Sequence, residues 1–246
     1  NNGLQLRALS LKSADNIFSL DGGVSKQRQL DIKFMLDAAD LSNSFPQLAG
    51  TLSLAGNLRG SIEQPELNYE LSGNNLLVSE VSIEHALGQG NIKWNEQKTI
   101  ALNIELTGIQ GINNQVDSAK LVLLGDASDH QLDLTTSGQS TSVNVSIQGQ
   151  LNQTSWQGNW LSGDIESSYA NLTLLEPFKI GADWAKQEYF IAPHCWRHEE
   201  TEVCIKKAKI TQNKLVWDLR HKAFEVLSVL SSLIHVIPLI HTKRPL

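Results

Sequence analysis

The sequence predicts an all-β protein: an elongated, curved, mainly antiparallel sheet with one apolar face, followed by a short C-terminal helix. Three observations carry this. Apolar residues recur at every second position over much of the chain, polar turn signals interrupt them at intervals, and the alternation stops near residue 218.

Leu30, Ile32 and Phe34 begin the series, alternating with charges. The longest run follows, with Leu48, Gly50, Leu52, Leu54, Gly56, Leu58, Gly60 and Ile62 at every even position. Thr51, Ser53, Asn57, Arg59 and Ser61 between them are small or polar, so one face is greasy and the other wet. At about 3.3 Å per residue this run would reach roughly 50 Å, longer than an ordinary strand. Its glycines are therefore expected to mark bends where the sheet curls. After Pro65 come Leu67, Tyr69, Leu71 and Gly73, then Ile100, Leu102, Ile104 and Leu106, then Val143, Val145, Ile147, Gly149 and Leu151. Expected turns lie at Asp21-Gly22-Gly23, Ser72-Gly73-Asn74-Asn75, Gly88-Gln89-Gly90, Gly125-Asp126 and Ser137-Gly138.

Two regions result: a repeat-built β-groove region over 1–217 and an off-pattern tail over 218–246. In the tail, Lys222 to Ile237 carries the adjacent apolar pairs Val226-Leu227, Val229-Leu230, Leu233-Ile234 and Val236-Ile237. Those pairs recur at three- and four-residue steps, which predicts a helix stopped by Pro238. Glu225, His235 and the interspersed serines argue against a membrane span. The competing accounts are a helix resting on the sheet or a bilayer, and an end foreign to the rest of the chain.

The chain has 246 residues, a formal net charge of −6 and only 19% charged residues. A negative chain gives nucleic acid no electrostatic footprint, so none is expected as a partner. Asn1 opens the sequence without a methionine or an apolar leader, as an internal fragment would.

The two cysteines, Cys195 and Cys204, stand nine apart with polar turn-forming sequence between them. Across a hairpin they fall within disulfide range, and an oxidising compartment would close the bond. Zinc held by both thiolates with His194 and His198 is the chemical alternative, although the spacing matches no zinc-finger layout; two unpaired buried thiols are the third. A catalytic thiol fits poorly, because Glu199, Glu200 and Glu202 would raise its pKa. G-x-S-x-G, H-E-x-x-H and a phosphate-binding glycine loop are all missing, so neither enzymatic activity nor a cofactor is expected.

Three stretches resemble the TamB family of the translocation and assembly module. The first is Asp40-Leu41-Ser42, Phe45-Pro46, then Gly50 through Gly60 and Gln64-Pro65-Glu66-Leu67, a glycine-punctuated strand followed by proline and a further strand. The second, Tyr169-Ala170-Asn171-Leu172-Thr173 with Glu176-Pro177-Phe178, echoes its start. The third and most specific is Pro193-His194-Cys195-Trp196 with Cys204 downstream. Together they cover roughly residues 1–210, as a middle portion of a longer protein. The resemblance implies a U-shaped β-taco groove with an apolar inside, tethered to the inner membrane and crossing the periplasm. It also implies a TamA-like outer-membrane barrel partner, phospholipid transport to the outer membrane and autotransporter assembly.

The alternation meets that picture at Leu48, Leu52, Leu54, Leu58 and Ile62, the candidate lipid-groove residues. Exposing five such side chains costs on the order of 7–15 kcal/mol, about the net stability of a whole domain. A facing sheet, another chain or phospholipid acyl chains must cover them. The alternative is a β-rich surface or adhesin-type module binding through its outer face; Trp156 and Trp160, of equal parity, would serve either.

Overall fold

A computed structural model of the protein describes residues 4–111, 115–168, 170–211 and 214–221. Its described residues form a meander of strands in chain order. These are Leu4–Ser13 (β1), Asn16–Val24 (β2), Gln29–Ala38 (β3), Leu48–Ser61 (β4), Pro65–Val78 (β5), Val81–Lys93 (β6), Ile100–Gln110 (β7), Gln115–Gly125 (β8) and His130–Ser137 (β9). Thr141–Leu151 (β10), Ser155–Ser167 (β11), Asn171–Leu174 (β12), Phe178–Asp183 (β13), Glu188–Ile191 (β14), His194–His198 (β15), Thr201–Thr211 (β16) and Lys214–His221 (β17) follow. All pairs are antiparallel, and β1 and β17 each bond to one neighbour, so the sheet is open. The one helical element among the described residues is a 3-10 turn, Leu41–Asn43, capped by the Asp40 side chain accepting from the Ser42 N–H. The helix expected over Lys222 to Ile237 lies outside the described residues, whereas β17 extends to His221.

The alternating run from Leu48 stays in one strand of 14 residues. Its bend is local: Gly50, at φ +98°, sits at a register shift between Ala49 and Thr51. Three of the five expected turns lie inside strands instead. Asp21 to Gly23 belongs to β2, Ser72 to Asn75 to β5, and Gly88 to Gly90 to β6. Glycine with Asn or Asp serves turns and close inter-strand approaches alike, so composition alone could not separate them. The connections fall at 25–28, 62–64, 79–80 and 94–99 instead, while those at Gly125-Asp126 and Ser137-Gly138 stand as expected.

Between β11 and β16 the sheet keeps its width although its strands shorten. β11 pairs with β12 near one end and β13 near the other, and β16 pairs with β15 and β14 in the same way. Residues 171–183 and 188–198 are thus two long strand paths, each broken once, at Pro177 and at Pro193. Proline has no N–H for the ladder, which accounts for both breaks.

Because the chain meanders, its connections line up in two rows. The first lip holds 25–28, 62–64, 94–99, 126–129, 152–154 and 184–187; the second holds 14–15, 39–47, 79–80, 138–140 and 199–200. Backbone bonds join neighbours along the first lip, among them Trp94 N–H to Pro65 O at 2.8 Å and Trp184 N–H to Thr154 O at 2.9 Å. On the second, Asn16 donates to the Asp40 carbonyl at 2.7 Å and accepts from the Asp40 N–H at 3.2 Å.

Candidate functional site

Residues facing each other across an antiparallel ladder share a face, so register carries the apolar pattern across the whole sheet. One row runs Phe18, Leu36, Leu54, Leu71, Gly88, Ile104, Leu121, Leu134 and Val145. Parallel to it lie a row through Ala38, Leu52, Gly73, Ala86 and Leu106 and another through Ile32, Leu58, Leu67, Ile92 and Ile100. Leu52, Leu54 and Leu58 are half-buried members of this face. Leu48 packs instead against a closed cluster of Ala38, Leu41, Leu76 and Ala86. Ile62 lies past the end of β4, 44% exposed on the first lip, its N–H donated to the Arg28 carbonyl.

Glycines on this face seat aromatic rings. A Cβ at Gly56 would stand 2.3 Å from the Phe34 ring, and one at Gly90 2.5 Å from that of Tyr69. Gly149 and Gly158 lie beneath Trp156 in the same manner. The readable signal was a glycine of apolar parity opposite an aromatic residue, the pairing known as aromatic rescue. Burial raises the Tyr69 phenol above its ordinary range.

Past β10 the face turns aromatic. Trp160 stacks on Phe178 at 5.5 Å between centroids, Phe178 on His194 at 3.9 Å, and Trp196 meets Trp160 and His194 edge-on. This cluster fills the place where Pro177 and Pro193 break the strands. Burial lowers the His194 pKa below its ordinary value, partly opposed by its bond to the Ala192 carbonyl. Trp156 and Trp160 do share the apolar face: Trp156 Nε1–H donates to His130 Nε2 at 2.7 Å. His130 then holds its proton on Nδ1, donated to the Asp126 carbonyl at 2.9 Å.

Cys195 and Cys204 are register partners joined by a disulfide. Alternation puts them on the opposite side from His194 and Trp196, so the bond clamps β15 to β16 behind the aromatic cluster. In this structure the two sulfurs are bonded to each other, which favours the disulfide over the zinc and free-thiol alternatives; no cluster of metal-binding side chains occurs among the described residues.

The outer face is mainly polar, although Met35, Leu87 and Leu124 stand exposed on it. Asp31–Arg59, Glu66–Lys93, Glu105–Lys120 and Arg197–Glu202 are each ion-paired and directly opposite in register. Exposed pairs stabilise little but favour this register over a slip. Lys120 holds the Glu105 carboxyl below its usual range, and a bond from Asn91 does the same for Glu66. An open hollow of about 810 Å³ on this face spans β2 to β8, lined mainly by apolar atoms, with Met35, Ala55, Val122 and Leu124 beside Lys33 and Asn68. A twisted sheet is saddle-shaped, hence hollow along one diagonal on either side. Leu48, Leu52, Leu54, Leu58 and Ile62 take no part in it.

Fold and face together define an elongated β-meander that presents one long apolar surface. The chain belongs to the TamB family: the family model "TamB, N-terminal domain" matches residues 1–235. It is also 24% identical over 203 residues to the translocation and assembly module subunit TamB of Haemophilus influenzae, covering 81% of this chain. The chain spans 16% of that relative's length. No solved structure matches it.

Proposed function

We propose that this chain is a structural, non-enzymatic stretch of a periplasm-spanning bridge whose apolar face shields phospholipid acyl chains from water. In the whole protein, tethered to the inner membrane and engaged with a TamA-like outer-membrane barrel, that face supports phospholipid transport to the outer membrane and autotransporter assembly. One observation carries the reading: apolar rows run in unbroken register from β2 to β10, most of their side chains only half-buried, with no second sheet over them among the described residues. A continuous apolar surface of this size needs an apolar occupant. No covalent chemistry is involved, since only removal from water is required.

Photoreactive side chains at positions 53, 54, 57 and 58 test this. Lipid adducts are expected from 54 and 58, on the apolar face, and not from 53 and 57; equal yields would sink the groove. Mass spectrometry of lipid extracted from the purified protein names the cargo. The outer-face hollow favours the second reading, a surface-binding module, which gains if purified protein carries no lipid at all.

A further inference from the structure

The two lips of the apolar face differ in closure. Apolar side chains less than a tenth exposed are Ala38, Leu41, Leu76, Ala86, Val145, Ala170, Leu172, Leu174, Phe178 and Val203. Phe178 lies near the midline, opposite Trp160; all the others belong to the half next to the second lip. There the 3-10 turn drops Leu41 onto β3, β5 and β6 and closes that stretch of the margin, although Val78 and Val81 at the 79–80 turn stay exposed. The half along the first lip has no such cluster among the described residues, and Ile32, Leu58, Leu67 and Ile92 there are only half-buried.

They also differ in charge. The described connections of the second lip carry Asp15, Asp40, Glu80, Glu199 and Glu200 and neither lysine nor arginine. Those of the first carry Lys26, Arg28, Lys98 and Lys186 beside Glu63, Glu96, Asp126 and Asp129. Arg28 pairs with Glu63 at 2.8 Å, and Lys186 with Asp183 at 2.9 Å. Trp94 and Trp184, about half-exposed, stand among these cations, where amphipathic indoles bridge an apolar region and water.

From closure and charge together we infer that a bound glycerophospholipid lies across the sheet in one orientation. Its phosphate rides along the first lip, among Lys26, Arg28, Lys98 and Lys186, and its acyl chains point toward the closed second lip. The reverse orientation would set the phosphate against five carboxylates in connections without a cation, with Lys12 and the Glu202-paired Arg197 only on the flanking strand ends, and drive the acyl chains out through the open margin. Lipid would accordingly enter and leave sideways, over the first lip. This inference rests on the lipid-shielding reading and adds polarity to it.

The test uses the intact protein and phosphatidylethanolamine carrying a photoreactive diazirine either in the headgroup or midway along one acyl chain. Headgroup adducts are expected at 25–28, 94–99 and 184–187, in about tenfold excess over 79–80, 138–140 and 199–200, as a preference of about 1.4 kcal/mol gives. Acyl adducts are expected on the row of Leu54 and Ile104. Headgroup adducts spread evenly over both lips, or favouring the second, overturn the orientation while acyl adducts on the face leave the groove standing. Failure of the acyl probe to label the face overturns the groove itself. In a second arm, Lys26→Glu with Lys98→Glu is combined with Glu80→Lys and Glu200→Lys, all at surface turns. Headgroup adducts should then move to the second lip; an unchanged pattern in protein of unchanged far-UV circular dichroism overturns the inference.

Discussion

The stretch from β3 to β9 and the stretch from β11 to β16 present the same apolar face by different means. In the first, long strands lay down rows of leucine and isoleucine, and glycines receive the few aromatic rings, as Gly56 receives Phe34. Those aliphatic side chains stay only half-buried toward the first lip. In the second, two prolines cut the strands, a stack of Trp160, Phe178 and His194 fills the gap, and a disulfide clamps the back. Closed packing is thus gathered at the aromatic stack and at the cluster around Leu41 on the second lip, while the leucine rows toward the first lip stay only half-buried.

The sharpest way to break this comparison is to truncate one side chain in each stretch. Phe178 is 7% exposed and stacked on both sides, so Phe178→Ala should destabilise by about 3–5 kcal/mol. Leu54 is only half-buried, so Leu54→Ala should cost about 1 kcal/mol. Urea denaturation of the two variants measures both values. Equal losses would mean that the leucine rows form a closed core, and the open trough would fall with them.

Next in size is the clamp. Replacing both Cys195 and Cys204 by serine releases a short loop, which the chain-entropy account values at about 2–3 kcal/mol. The loss should appear in the unfolding of β15 and β16 and leave amide exchange in β4 to β7 unchanged. Thiol alkylation before and after reduction, read by intact mass, reports the state of the pair. Alkylation of both cysteines in unreduced periplasmic material would remove the clamp from the comparison.

Much of the fold was legible because alternation is a local property: β4 displays Leu52, Leu54 and Leu58 on one side whatever its neighbours do. The rows were not legible, since joining Leu36 to Leu54 and Leu71 depends on which strands pair and in what register. Nor was the aromatic cluster, whose members stand at 160, 178, 194 and 196 and meet only because Pro177 and Pro193 open the sheet at one level. The disulfide was one of three readings of its cysteines until register placed them opposite each other. Glycines misled most. At Gly73 and Gly90 they sit beside Asn or Gln as turn glycines do, yet a Cβ there would meet Leu76 or Tyr69.

That confusion suggests a finer comparison, between two glycines of the first stretch. Gly56→Ala would set a methyl 2.3 Å from the Phe34 ring and 2.5 Å from the Asn68 carbonyl oxygen. Backbone cannot yield there, and overpacking should cost about 1–3 kcal/mol. At Gly88 the nearest atom is Leu71 Cβ at 3.6 Å, an ordinary contact. Gly88→Ala should be neutral, or stabilising by about 0.4–1 kcal/mol through the unfolded chain. Thermal unfolding of both variants decides whether glycine in this sheet is a seat for a ring or only a break in propensity.

The smallest expected effect is a proton on His194. Its ring lies between Phe178 and Trp196 with Nδ1–H donated to the Ala192 carbonyl, and burial holds its folded pKa below the ordinary 6.5. The unfolded chain therefore binds this proton more readily than the folded one. Above pH 6.5 both states are neutral there, and the stability is fully present. As the pH falls through 6.5 the unfolded state gains the proton first, and stability declines until the folded pKa is passed, where the slope ends. His194→Phe keeps a flat ring on Phe178 and removes the proton. Its melting temperature should consequently lose the slope just below pH 6.5 while sharing the later decline as Glu105 and Asp183, held low by Lys120 and Lys186, are protonated. Superimposable pH profiles for the two proteins would show that the aromatic stretch is wet enough to accept a charge, and the contrast with the leucine rows would lose its physical basis.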